Sequence, residues 1–330
     1  ITARSSPVKL GTLTYLTSLS AGIDHSLAVK TDGTAWAWGF NEVEQMGISI
    51  RVNESSPIQV GTLTNWSGIS VGGSHSLAWK TDGTAWAWGY NASGRLGDSS
   101  ATTRSSPVQI GTLTNWSSLS AGDAHSLAYK TDGTIWAWGS NTSGRLGDSS
   151  TTIRSSPVQI GTLTTWASVS AGDTHSLARK TDGTIWAWGS NTNGRLGDGS
   201  TTARSSPVQI GTLTDWSGIS AGDSHSLAWK TDGTAWAWGV NTAGVLGDGS
   251  TTARSSPVQI GTLTDWSSLS AGGAHSLARK TDGTAWAWGS NTFGRLGDSS
   301  ITNRSSPVQI GTLTNWSSIA GGSTHSLARK

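Results

Sequence analysis

Short runs of alternating apolar and polar positions, punctuated by glycine, run the length of the chain. In HSLAVKTDGTAWAWGF at 25–40 the alternation lies on both sides of an Asp-Gly, which predicts two strands joined by a tight turn. TDGTAWAWG recurs at 81–89, 231–239 and 281–289, and TDGTIWAWG stands at 131–139 and 181–189. The segment GTLT begins at Gly11, Gly61, Gly111, Gly161, Gly211, Gly261 and Gly311, a period of 50 without insertion or deletion. Each unit reads as four strands, exemplified by Ser67–Val71, His75–Lys80, Thr84–Gly89 and Pro107–Ile110, here called a to d.

A two-residue type I′ turn at Asp-Gly sets a register. It pairs Thr31 with Thr34, Val29 with Trp36, Leu27 with Trp38 and His25 with Phe40. One face of the hairpin then carries His25, Leu27, Val29, Trp36, Trp38 and Phe40. The other carries Ser26, Ala28, Lys30, Ala35, Ala37 and Gly39. A bulky face can stack on the bare face of the next copy, and stacking around an axis gives a β-propeller. Trp36, Trp38, Trp86, Trp88, Trp136, Trp138, Trp186, Trp188, Trp236, Trp238, Trp286 and Trp288 are therefore expected between sheets. Each indole would bury ~150–250 Å², about 4–6 kcal/mol gross, without any ligand.

Seven HSLA strands and seven SSP segments, against six TDG hairpins, predict an all-β, seven-bladed propeller spanning 1–330. Residues 1–10, which match 301–310, are expected to be the terminal strand of a unit, and the last blade to lack one strand. An open edge there is expected to favour self-association. A chain opening on Ile1 is expected to be a processed or truncated product.

Composition narrows the function classes. Twenty-two Lys and Arg against 20 Asp and Glu leave no charge surplus to draw the chain to nucleic acid. No apolar run is long enough for a transmembrane helix, so no membrane insertion is expected. Cysteine is absent, and 20 Trp argue for a folded chain.

His25, His75, His125, His175, His225, His275 and His325 recur once per unit, hence on separate sheets. They are expected to be structural, with one ring nitrogen bonded to the backbone of a neighbouring strand. No metal or other cofactor is expected, because no Cys or carboxylate accompanies them at ligand spacing. Asp98 precedes Arg104 by six residues, a spacing repeated in the following units. The first unit has Ile48 and Glu54 instead, so an Asp–Arg bridge pinning the long loop is inferred. No convergent set of unlike catalytic groups is visible, and no enzyme is expected.

The pattern GxxHSLAxKTDGTxWAWGxNxxGxLG resembles the repeat of the regulator of chromosome condensation family, seven-bladed propellers of similar unit length. The near-identical units look like those of bacterial or phage-type members. The resemblance implies little about activity, since that family includes a nuclear nucleotide-exchange factor, secreted β-lactamase inhibitors, a UV-B photoreceptor and ubiquitin-ligase modules. The uniform units lack the inserted wedge of the exchange factor.

Variation between units marks candidate binding positions. On the face formed by the a–b turns and c–d loops these are Phe40, Val43, Tyr90 and Phe293. At the hairpin end of strand b they are Trp79, Tyr129, Arg179, Trp229 and Arg279, with Arg179 placed opposite Trp186 and Arg279 opposite Trp286 for cation–π contact. The leading expectation is a binding or adhesion module, extracellular or on a virion surface, recognising a protein or glycan through its loop face. A secreted hydrolase inhibitor and a purely structural, self-associating repeat are the alternatives.

Overall fold

The computed structural model describes every residue except Ile1, Thr2 and Thr12. The first blade comprises strands Leu16–Ala21, His25–Lys30, Ala35–Gly39 and Glu54–Gln59, antiparallel and adjacent in chain order. Five more four-stranded blades follow over 66–109, 116–159, 166–209, 216–259 and 266–309. The a strands lie innermost and touch in a circle. A two-stranded sheet, Ser318–Gly321 and Ser326–Arg329, sits in that circle between the sixth blade and the first.

Among the described residues the propeller thus has six blades, not seven with the last short of one strand. Among the described residues, strand d pairs with strand c alone in every four-stranded blade, and no strand c stands beside Ser326–Arg329. Residues 3–10 carry the strand-d pattern but, without that partner, form no strand. The first two residues of the expected 1–10 strand lie outside the described residues.

The hairpin register also differs from expectation by one residue. His25 pairs with Gly39, Ser26 with Trp38 and Ala28 with Trp36. The turn is a three-residue loop, in which Lys30 N bonds Thr34 O at 3.0 Å and only Gly33, at φ +76°, is left-handed. Asp32 stays out of the left-handed region while its Oδ1 accepts from Thr34 N at 3.0 Å and Thr34 Oγ1 at 2.6 Å. The extra residue moves the indoles to the Ser26–Ala28–Lys30 face.

From the second blade to the sixth the indoles still lie between blades, but each faces the preceding blade. Trp88 packs with Leu27, Val29, Ala35, Ala37 and Met46 of the first blade. Gly47, at φ +73°, lets the backbone lie against that ring, where an added Cβ would come within 2.6 Å of Trp88 Nε1. The Nε1 of Trp138, Trp188 and Trp288 each donates to a main-chain carbonyl of the preceding blade at 2.9 Å. Trp66 meets Trp86 edge-on at 6.0 Å within one blade.

The histidines form a second inter-blade system. Ser76 Oγ donates to Gln45 O at 2.7 Å, so it accepts the Nε2 proton of His25 at 2.9 Å. The same relay runs from His75 to Ser126, His125 to Ser176, His175 to Ser226, His225 to Ser276 and His275 to Ser326. His325 closes the ring onto Ser26 at 2.8 Å. The imidazole therefore reaches backbone through a serine and not directly. Burial holds His25, His125, His225 and His275 neutral, with pKa values lowered to about 3.

Candidate binding face

The a–b turns surround the mouth of the central channel. Glycine is required where the a strands converge: a Cβ on Gly122 would lie 2.4 Å from Gly172 O and 2.5 Å from the His125 ring. The mouth encloses about 280 Å³ and brings together Asp123, Asp173 and Asp223. Burial, then the neighbouring Asp123 and Asp223 carboxylates, pushes Asp173 up to about 6, against the pull of Arg145. Burial, followed by Asp123, also raises Asp223.

Four arginines from the c–d loops encircle this mouth. Arg95 Nη1 donates to Asp123 O at 2.9 Å, Arg145 to Asp173 O at 3.2 Å, Arg195 to Asp223 O at 3.1 Å and Arg295 to Ser323 O at 3.1 Å. These four bonds go to the main chain of the next blade, so they stitch the loop face without pairing directly with the carboxylates. Neither the acidic cluster nor this arginine girdle emerged from the sequence. Their members lie 50 residues apart, and the only signal was the Gly-Asp turn recurring in consecutive units.

The long loops are rigid in construction. Asn91 Oδ1 accepts from Leu96 N at 3.0 Å, and its Nδ2 donates to Asp98 Oδ1 at 3.0 Å. Asp98 is also bonded to Ser100 and pairs with Arg104 at 2.7 Å. The corresponding pairs are Asp148–Arg154, Asp198–Arg204, Asp248–Arg254 and Asp298–Arg304.

On this platform Tyr90 is 38% exposed and stacks on Arg95, the guanidinium carbon 5.0 Å from the ring centre. Phe293 is 65% exposed and adopts φ +65°, where the third, fourth and fifth units place Ser143, Asn193 and Ala243. It borders a groove of about 490 Å³ shared with Ala3, Ser5, Thr292 and Ile301. Phe40 and Val43 are half-buried in the first unit's loop.

The strand-b positions Trp79, Tyr129, Arg179, Trp229 and Arg279 are all half-buried. Trp79, Tyr129 and Trp229 pack against the inter-blade cores. Arg179 stands opposite Ile185 and Arg279 opposite Ala285, so the expected pairings with Trp186 and Trp286 do not form. The cations over those indoles are lysines instead: Lys180 Nζ lies 3.9 Å from the Trp186 ring centre and Lys280 Nζ 5.2 Å from that of Trp286. The one-residue register difference accounts for the exchange.

Among the described residues, no group of three or more His, Cys, Asp or Glu is placed to hold a metal ion. Among the same residues, no helix is long and apolar enough to cross a membrane.

Human WBSCR16 superposes with a TM-score of 0.89 at 20% identity, covering 98% of this chain and 88% of that one. Prp20p from Saccharomyces cerevisiae gives a TM-score of 0.82 at 22% identity over 95% of this chain and 82% of its own. The CRINKLY WD40 ectodomain of the Arabidopsis thaliana receptor kinase ACR4 gives 0.53 at 15% identity, over 95% and 90%. At such identities the likeness shows the fold alone. No curated protein matches the chain by sequence. The regulator of chromosome condensation (RCC1) repeat matches residues 282–329 and 266–295. The RCC1-like domain matches residues 2–275, and the chain belongs to that family.

Proposed function

We propose that this propeller is a non-enzymatic module that binds a protein through its loop face. The observation that carries this reading is Phe293. A bulky side chain in the left-handed region costs of order 1–3 kcal/mol, and an aromatic ring left in water gains nothing back by burial. Such a residue on a platform of bonded loops is placed to insert into a partner. Tyr90 offers a second aromatic, and the carboxylates at the channel mouth favour a partner that brings a cationic group there.

The fold neighbour Prp20p is described for its binding to Gsp1p and histones, which supports protein recognition as a use of this architecture. The Cys-free, low-charge, Ser- and Thr-rich composition supports a place outside the cell or on a virion surface. The repeated carboxylates supply no nucleophile with its base, which supports a binding role over an enzymatic one.

A screen of the full chain against arrayed surface proteins and glycans tests the proposal. The expected result is a protein ligand whose binding falls at least tenfold with Phe293→Ser and Tyr90→Ser but survives Thr131→Ala and Thr281→Ala on the hairpin face. Binding lost only with the hairpin-face variants, or a ligand found only among glycans, would overturn it.

A further inference from the structure

The first unit departs from its copies where the long loop runs into strand d. In the second unit that corner is polar and pinned, with Asp98 bonded to Asn91, Ser100 and Arg104, and the sixth unit repeats it from Asp298 to Arg304. Serine and threonine occupy the Ser100 and Thr102 positions in every unit from the second to the sixth. The first unit has Ile48, Ile50 and Val52 at the Asp98, Ser100 and Thr102 positions, and Glu54 at that of Arg104. Ile48 packs against the core that holds Trp88, but Ile50 is 53% exposed and Val52 50%. A bonded network has been given up, and two of the three aliphatic side chains are left half in water. Exposed aliphatic residues are ordinary singly; grouped, they mark a contact surface.

The charge around this pair is reversed as well. Glu42, Glu44 and Glu54 stand where the second unit has Ala92, Gly94 and Arg104, Asp24 where it has Ser74, and Gln45 where it has Arg95. Arg51 is bonded to Glu44 at 3.0 Å, and among the described residues no ion pair reaches Glu42 or Glu54. These groups share one end of the blade. Phe40 N donates to Asp24 O at 2.9 Å, Asn41 N donates to Asn53 Oδ1 at 2.7 Å, and Gly39 pairs with Glu54. The loop is seated on the second blade, where Ser49 N donates to Ser105 O at 2.8 Å.

We propose that this end of the first blade docks a basic amphipathic segment of a partner protein. Apolar side chains of the segment would cover Ile50 and Val52, and its Lys or Arg residues would face Glu42 and Glu54. The carboxylates repel a polyanion, which turns this surface away from nucleic acid and anionic lipid. Docking here rests on the protein-binding reading of the loop face and gives the partner its chemistry.

A displayed library of random peptides, panned against the full chain, supplies the probe, and fluorescence anisotropy of the enriched peptide reads its affinity. We expect the enriched sequences to combine apolar residues with Lys or Arg. Ile50→Ser together with Val52→Thr installs the residues of the other units and should weaken the peptide at least about tenfold. Glu42→Ala should cost about threefold and make the affinity less sensitive to salt. Phe293→Ser, on the sixth blade, should leave the peptide's affinity unchanged. No enrichment, enriched sequences without basic residues, or an affinity indifferent to the Ile50 and Val52 substitutions would overturn the proposal. Self-association of the free chain that those substitutions abolish would overturn it too. A peptide weakened by Phe293→Ser alone would overturn it while sparing the loop-face reading.

Discussion

The indole of Trp79 lies directly over Gly68, its partner across the a–b strand pair. A Cβ on Gly68 would stand 2.1 Å from that ring, and Gly218 has the same relation to Trp229 at 2.0 Å. The other described strand pairs place Ser18, Ser118, Ser168, Ser268 and Ser318 opposite Val29, Tyr129, Arg179, Arg279 and Arg329. The variation at the end of strand b is thus matched across the sheet: tryptophan appears where glycine makes room for it. Packing explains that variation, whereas Phe293 is 65% exposed in its loop.

A double-mutant cycle measures this compensation. Gly68→Ser alone should destabilise by about 1–3 kcal/mol, because the ring must leave its seat. Adding Trp79→Arg, which recreates the pair found at Ser168 and Arg179, should recover at least about 1 kcal/mol of that loss. Denaturant melts of the four proteins give the coupling, and strict additivity would refute the account.

The histidine ring makes stability depend on acid. An unfolded chain binds protons at its imidazoles below about pH 6.5, whereas the folded chain resists until about pH 3 at His25, His125, His225 and His275. The unfolded state therefore holds more protons throughout this window, and stability falls as pH drops from 6.5. At pH 5 each of these four withdraws about 2 kcal/mol, a large sum beside the ~5–15 kcal/mol of an ordinary domain. Asp173, raised to about 6, and Asp223, also raised, act in the opposite direction, but they are two carboxyls against seven lowered imidazoles. The thermal midpoint should fall steeply between pH 6.5 and pH 5. His125→Gln should flatten the slope by one proton, and an unchanged profile would contradict the relay.

Two glycines with the same backbone handedness separate conformational strain from packing. Gly97 has φ +74° and its Cβ would lie 2.8 Å from Trp138 Nε1, while Gly111 has φ +54° and nothing within 4 Å. Gly111→Ala should cost only the left-handed backbone term, about 1–2 kcal/mol. Gly97→Ala should cost that plus roughly 1–3 kcal/mol for displacing a buried indole. Equal losses in urea melts would mean that the indole is not seated there.

The all-β propeller and the place of its strands were legible because each unit repeats one alternating pattern between glycine turns. The register was not. TDG admits a two-residue and a three-residue loop, and the difference lies in whether Asp32 takes positive φ or bonds to Thr34. One residue then transferred Trp36 and Trp38 to the opposite face and replaced arginine by lysine beside Trp186. The blade number misled for a different reason. Counting segments treats residues 3–10 as a strand, yet a strand exists only beside a partner, and Val8 and Leu10 have none. The acidic mouth was invisible because Asp123, Asp173 and Asp223 meet only when the ring closes.

Binding of a protein at the loop face would show most directly in a deuterium-exchange footprint of the complex. With the protein ligand recovered from the array, exchange should slow at 40–46, 90–96, 122–124 and 290–296. It should remain unchanged at the hairpin turns 31–34, 81–84 and 131–134. Protection confined to those turns, with the Phe293 and Tyr90 loops exchanging as in the free chain, would contradict the account.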